Sequence, residues 1–238
     1  MGSTRTASIA AVKARHLDPS RNTGGTRLVD DMDVGRAVDR AVDTYGRHRP
    51  RTIVASVTGN GTHYYVVSTQ LTSWVRGFSA ITAVDYPAKA ISANTQPYWL
   101  SDRDFEIYLD ATDTEYLYLP VHAPASTETM RVHYTAPHTH TDATDTIFQE
   151  DLEAVRDLAA GVLCEMLATR ASGSSDSTIA ADSVNYRDKQ LRYNQEAKAW
   201  REMYYRHLGL PIDGGVSAAS VTWEWKTERA SRQAYLFH

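Results

Sequence analysis

A single cysteine stands among the 238 residues, which excludes an internal disulfide and a cysteine-rich zinc site. That residue, Cys164, sits in a helical pattern beside Ala160 and Ala168 and reads as a small side chain at a close helix contact. No apolar run approaches the roughly 20 residues needed to cross a bilayer, so no membrane span is expected. The first residues, M-G-S-T-R-T-A-S, lack the apolar core of a signal peptide. Gly2 and Thr6 fit the short myristoylation pattern, but an ordinary start and a soluble protein made in a reducing compartment are the expectation. Basic excess is also missing. With 25 Lys and Arg against 29 Asp and Glu, the net charge of −4 argues against a general nucleic-acid binder with a basic stripe. There is no G-x-x-x-x-G-K-[ST], no G-x-S-x-G and no G-x-G-x-x-G, so none of the common phosphate-cradle or nucleophile-elbow motifs is present. What remains, 42% hydrophobic and 23% charged residues, is the composition of a folded globular chain.

The periodicity changes twice along the chain. Residues 7–16 allow a short helix. From residue 30 to 48, Val34, Ala37, Val38, Ala41, Val42 and Tyr45 follow the three-and-four spacing of an amphipathic helix, opened by Asp30, Asp31 and Asp33. Period-2 patterns follow. Residues 52–57 and 63–68 read as a hairpin across Gly59-Asn60-Gly61, because a type I′ turn needs residues that accept positive φ. Residues 80–86, 105–109, 116–119 and 130–135 read as further strands, the middle two joined across residues 111–114. Six short strands predict a small antiparallel barrel or sandwich.

The helical period resumes near residue 146. Leu152, Val155, Ala159, Val162, Met166 and Leu167 form one apolar stripe. The polar stretch 172–177 breaks the pattern. A last helix over residues 179–207 carries Tyr186, Tyr193, Ala197, Trp200, Tyr204 and Leu208 inward, and Gly209 with Pro211 stops it. Two such helices on a short link predict an antiparallel hairpin, with the helix over 30–48 as its partner. The predicted core includes Val38, Val42, Val155, Val162, Met166 and Trp200.

Candidate chemistry is sparse. His133, His138 and His140, with a nearby aspartate, contain an H-x-H pair that suits zinc. His138 and His140 fall in a Pro- and Thr-rich linker, without the rigid frame a metal site needs, so no metal and no cofactor is expected. The D-D-M-D run lacks the glycine and glutamate of a calcium loop. Asp102, Asp104 and Glu106 read as solvated turn residues rather than a paired acid and base, and no catalytic residue is assigned. Trp74, Tyr86, Trp99 and Tyr108 read as core of the β-region, with a sugar-stacking platform as the alternative. Past a flexible link over 214–220, Val221, Trp223 and Trp225 alternate with Thr222, Glu224 and Lys226, and the chain ends on Tyr235-Leu236-Phe237-His238. Such a tail predicts an arm that anchors on another surface through Trp223, Trp225, Tyr235 and Phe237.

Several stretches together resemble the head–tail adaptor (connector) proteins of tailed bacteriophages. They are the helix over 30–48, A-V-D-Y-P within the β-region, D-L-E-A-V-R-D-L-A-A-G-V-L-C-E, A-D-S-V-N-Y-R-D-K-Q-L-R-Y and A-W-R-E-M-Y-Y-R-H-L-G. The resemblance covers residues 30–209. It departs from the short adaptors, which are helical bundles without a large β-region, and matches the longer kind. Together with the periodicities above it gives an α+β chain: a bundle of three or four helices, an inserted β-module and, beyond the resemblance, an extended C-terminal arm. The expected division is 1–50, 51–137, 138–210 and 211–238. It also implies a non-enzymatic virion component made in the host cytoplasm. Such a component forms a ring, commonly a dodecamer, between the portal and the neck, stopper or tail-completion protein. DNA passes through the opening without sequence-specific contacts, and a mildly acidic lumen lets it slide. The alternative is a carbohydrate-binding adhesion or decoration protein of the virion.

Overall fold

The computed structural model describes residues 4–16, 30–90, 96–173 and 186–211. The predicted C-terminal arm, with Trp223, Trp225, Tyr235 and Phe237, lies outside the described residues. The chain divides into two compact units, Met1–Val42 with Thr139–His238, and Asp43–His138.

The first unit is helical. It contains α1 (Arg5–His16), most of α2 (Asp31–His48), α4 (Leu152–Gly173) and α5 (Tyr186–Leu208). Asp31 and Asp33 lie in the first turn of α2 and Arg47 and His48 in its last, the arrangement that suits the helix dipole. α4 is buried over nearly its whole circumference, since Ala154, Val155, Leu158, Ala159, Ala160, Val162, Leu163, Cys164, Leu167 and Ala168 are all covered. Ala160 and Cys164, on the side that also carries Glu153 and Asp157, are covered as well, so the burial is wider than the single stripe read from the sequence.

α5 runs antiparallel to α4. Asp151 meets His207 at one end, while Glu165 meets Arg201 and Cys164 meets Glu196 further along. Gly161 lets the two backbones close: a Cβ there would lie 3.2 Å from the Ala197 carbonyl oxygen. Ala197 and Tyr204 are buried, and Tyr193, Trp200 and Leu208 are half-buried on the same stripe. Gly209, at φ 66°, ends α5 in a Schellman arrangement. Its N–H donates to Arg206, and that of Leu210 donates to Tyr205. α1 is antiparallel to α2, with Arg5 on Asp39 at one end and Lys13 on Asp31 at the other. Of the predicted core, Val38, Val42, Val155 and Val162 are buried, whereas Met166 and Trp200 are half-buried.

The second unit carries two three-stranded antiparallel sheets rather than a closed barrel. One has the order β1 (Arg51–Thr58), β6 (Thr129–Ala136), β3 (Ile81–Asp85). The other has the order β2 (Tyr64–Val66), β5 (Glu115–Tyr118), β4 (Glu106–Leu109). α3 (Val67–Gln70) follows β2 directly and cuts short the strand expected over 63–68. β6 alternates strictly, turning Met130, Val132, Tyr134 and Ala136 inward, and it holds the centre of its sheet. These side chains join Val57, Val84 and Leu100, Tyr65 and Leu117 from the other sheet, and Leu119 just past β5, in one core.

The expected hairpin between residues 52–57 and 63–68 does not form. β1 pairs with β6 along its whole length, from Arg51↔Ala136 to Thr58↔Thr129, and β2 pairs with β5 in the other sheet. Gly59 serves close approach instead of a hairpin turn, since a Cβ there would fall 2.1 Å from the Ala125 carbonyl oxygen. Asn60 Oδ1 accepts from the N–H and the hydroxyl of Thr62, closing an Asx turn. The β4–β5 hairpin does form. Asp110 accepts from the Thr112 and Thr114 N–H groups, and Asp113 takes the left-handed conformation at φ 65°.

Candidate interaction surface

A cluster of solvent-facing tyrosines lies on the β2–β5–β4 sheet. Register puts Tyr64 opposite Tyr118, and Tyr108 opposite Tyr116. Directly opposed residues of an antiparallel pair share a face, so the four tyrosines form one array. Tyr64 and Tyr118 stack at 4.7 Å and 19°, and Tyr64 meets Tyr116 edge-on at 6.1 Å and Tyr108 at 5.9 Å. The other face turns Tyr65 and Leu117 into the core. Period-2 alternation thus collects the four tyrosines on one side of this sheet and puts Tyr65 and Leu117 on the other. Tyr64 and Tyr108 remain 44% and 46% exposed.

The segment after α3 contacts the β4–β5 hairpin. The Trp74 indole N–H donates to Glu115 Oε2 at 2.8 Å, and Arg76 grips both Asp113 oxygens. Those contacts hold the Asp113 carboxyl below its usual range, and backbone N–H and hydroxyl donors do the same for Asp110.

A groove of about 560 Å³ lies on the β1–β6–β3 sheet, lined among others by Val54, Trp99, Arg131 and His133. Trp99 is half exposed and packs edge-on against His133 at 5.0 Å. Below it, buried Asp85 accepts from Arg131 at 2.9 Å and from the Tyr98 N–H at 2.8 Å. Trp99 and Tyr108 are therefore surface residues, contrary to the core expectation. Trp74 and Tyr86 are partly buried against the core. Burial pushes the Tyr86 phenol up to about 12, reinforced by its bond to Glu128 at 2.7 Å.

The histidines separate between the units, and His138 and His140 are both buried. His138 Nε2 contacts the Arg49 carbonyl oxygen at 2.8 Å, and its ring lies 4.9 Å from that of Tyr45. His140 Nε2 is 3.0 Å from Ser8 Oγ, and its Nδ1 is 3.1 Å from Asp145 Oδ1. The order Ser8–His140–Asp145 is that of a nucleophilic triad, but His140 Nδ1 makes no hydrogen bond to the carboxylate despite the 3.1 Å approach, and nothing in the sequence spacing announces the group. Yet Ser8 is 1% exposed and also accepts from Arg156 Nε at 3.3 Å. A nucleophile has to meet its substrate, and this hydroxyl is enclosed. The three residues work as a polar tie between α1 and the stretch before α4. Among the described residues no group of three or more His, Cys, Asp or Glu could hold a metal ion. Burial beside Glu196 pushes the Cys164 thiol up to about 12, which removes its thiolate reactivity at neutral pH. No helix of the described residues is long and apolar enough to cross a membrane.

No family model and no curated protein matches the chain. Among solved structures it is similar to a chain from the neck of an empty gene transfer agent particle computed with C6 symmetry. Identity is 13% and the TM-score 0.27, over 81% of this chain and 92% of that one. A chain from the virion of a native gene transfer agent particle gives 12% and 0.28 over 81% and 92%. A chain from the neck of a native particle computed with C12 symmetry gives 15% and 0.27 over 81% and 91%. At these TM-scores a common fold is not established, and the functional reading rests on the chain's own residues.

Proposed function

We propose that this chain is a structural virion protein, a head–tail adaptor that forms a ring between the portal and the neck and continues the DNA channel. The observation that supports this most is the order of the chain. A β-module whose first and last strands pair end to end, Arg51 with Ala136, interrupts a run of helices, and α2 and α4 carry two of the adaptor-like stretches. The helices would form a bundle, and the arm beyond residue 211 would reach the portal or an adjacent subunit. No part of this role needs a reacting group. It needs surfaces, and the uncovered tyrosine array is such a surface.

The test is truncation after Ser220. The shortened chain should stay folded and soluble but fail to join portal-bearing heads. Normal occupancy by the truncated chain would contradict the role given to the arm.

Trp99 over its groove and Tyr108 on the other sheet favour a second reading, a glycan-binding decoration protein. A glycan array with Trp99→Ala and Tyr108→Ala separates the two. The adaptor reading expects no glycan signal that these changes abolish.

A further inference from the structure

We propose that the open edge of β4 accepts the segment 221–226 from a second copy of the chain, as an added strand that extends the tyrosine face. The proposal deepens the adaptor reading and rests on it for the ring.

β4 is the outer strand of its sheet, and all four of its residues are exposed. Ile107, Tyr108 and Leu109 are 37%, 46% and 46% exposed. Folded proteins usually blunt such an edge with lysine, proline, a bulge or a covering loop. Here the edge offers three large apolar side chains instead. The hairpin fixes which backbone groups are available. The Asp110 N–H donates to the Thr114 carbonyl, and hydrogen-bonded pairs alternate along an antiparallel ladder. Tyr108 and Glu106 therefore bond toward β5, while the N–H and C=O groups of Ile107 and Leu109 point to the open side.

The same chain supplies a matching donor. Beyond Pro211 it has 27 further residues, of which 212–220 provide nine residues of link and 221–226 alternate strictly. Nine residues reach at most about 30 Å. Laid along β4, the segment can bond to Ile107 and Leu109 while Val221, Trp223 and Trp225 continue the row of Tyr108, Tyr116, Tyr118 and Tyr64. Thr222, Glu224 and Lys226 then fall beside Ile107 and Leu109. Each buried tryptophan covers about 150–250 Å², enough to bury what Tyr108 exposes on that face, while the side-chain stems of Glu224 and Lys226 lie over Ile107 and Leu109. Donor and acceptor are different patches of one chain, so the contact is head-to-tail, the kind that closes into a ring when the rotation allows.

Disulfide trapping in the full-length chain tests this. A tagged copy with Ile107→Cys is mixed with an untagged copy carrying Thr222→Cys, Glu224→Cys or Lys226→Cys. Cys164 is replaced by Ala in both. We expect a disulfide between copies for at least one of the three, lost when Leu109→Lys charges the acceptor edge or when Trp223→Ser removes an anchor. Leu109 is exposed, so its lysine variant should keep the fold, which circular dichroism verifies. No disulfide at any of the three positions overturns the proposal. So does Leu109→Lys leaving self-assembly intact while abolishing binding to portal-bearing heads, which would assign the edge to the portal. A ring without these disulfides leaves the adaptor reading standing and removes the strand addition. A chain that stays monomeric contradicts both.

Discussion

Arg51 and Ala136 stand opposite each other at the end of the β1–β6 ladder. Directly opposed residues have Cα atoms about 4.5–5.5 Å apart, so the β-region leaves and rejoins the chain at nearly one point. Replacing residues 51–136 by a short Gly-Ser linker should preserve the helical far-ultraviolet signal of the remainder. Loss of that signal would mean that the helices depend on the β-region for their fold.

Buried Asp85 pairs with half-buried Arg131, which lines the Trp99 groove. Removing the carboxylate leaves Arg131 and the Tyr98 N–H without their acceptor, at about 1–3 kcal/mol. Asp85→Ala should lower the midpoint of thermal or urea unfolding accordingly, and Asp85→Asn by less because it still accepts from the Tyr98 N–H. An Asp85→Ala variant as stable as the parent would contradict the pair's structural role.

α4 allows a graded comparison. Leu163 is fully covered, and Leu163→Ala should cost about 2–5 kcal/mol through lost burial and a cavity. Met166 lies one turn further on but is only half-buried, so Met166→Ala should cost distinctly less in the same denaturant titration. Equal losses would place Met166 deeper than its exposure indicates.

How much of this was legible in the sequence depends on the range over which each feature is encoded. α2 and the two long helices show in the three-and-four spacing because a helix bonds within itself. The Gly209 stop and the β4–β5 hairpin are likewise local. The partner of β1 is not local. Val57 meets Met130 from a distant part of the chain, and the nearby Gly59-Asn60-Gly61 imitates the turn of a hairpin that never forms. Burial of aromatics was equally unreadable. Alternation shows that Tyr64 and Tyr65 point opposite ways, but not that Tyr65 goes into the core. The link from Ser8 to His140 joins residues far apart in the chain with no shared motif. The arm was legible as a pattern, and its residues lie outside the described structure.

Tyr86 makes the fold sensitive to alkaline pH. Burial and the bond to Glu128 favour the neutral phenol and raise its pKa from 10.0 to about 12. A raised phenol stabilises the fold fully below the unfolded value, and the contribution disappears as pH climbs from about 10 through about 12. Spectrophotometric titration of Tyr86→Phe should lack one late-ionising phenol relative to the parent. Its stability should fall less over that interval. Identical titration curves would show that Tyr86 ionises with the exposed tyrosines.

The most direct test of the adaptor account is electron microscopy of portal-bearing heads incubated with the full-length chain. The account predicts a ring of copies seated on the portal, with the channel open along the ring axis. Heads whose portals stay bare at saturating concentration of a folded chain would contradict it.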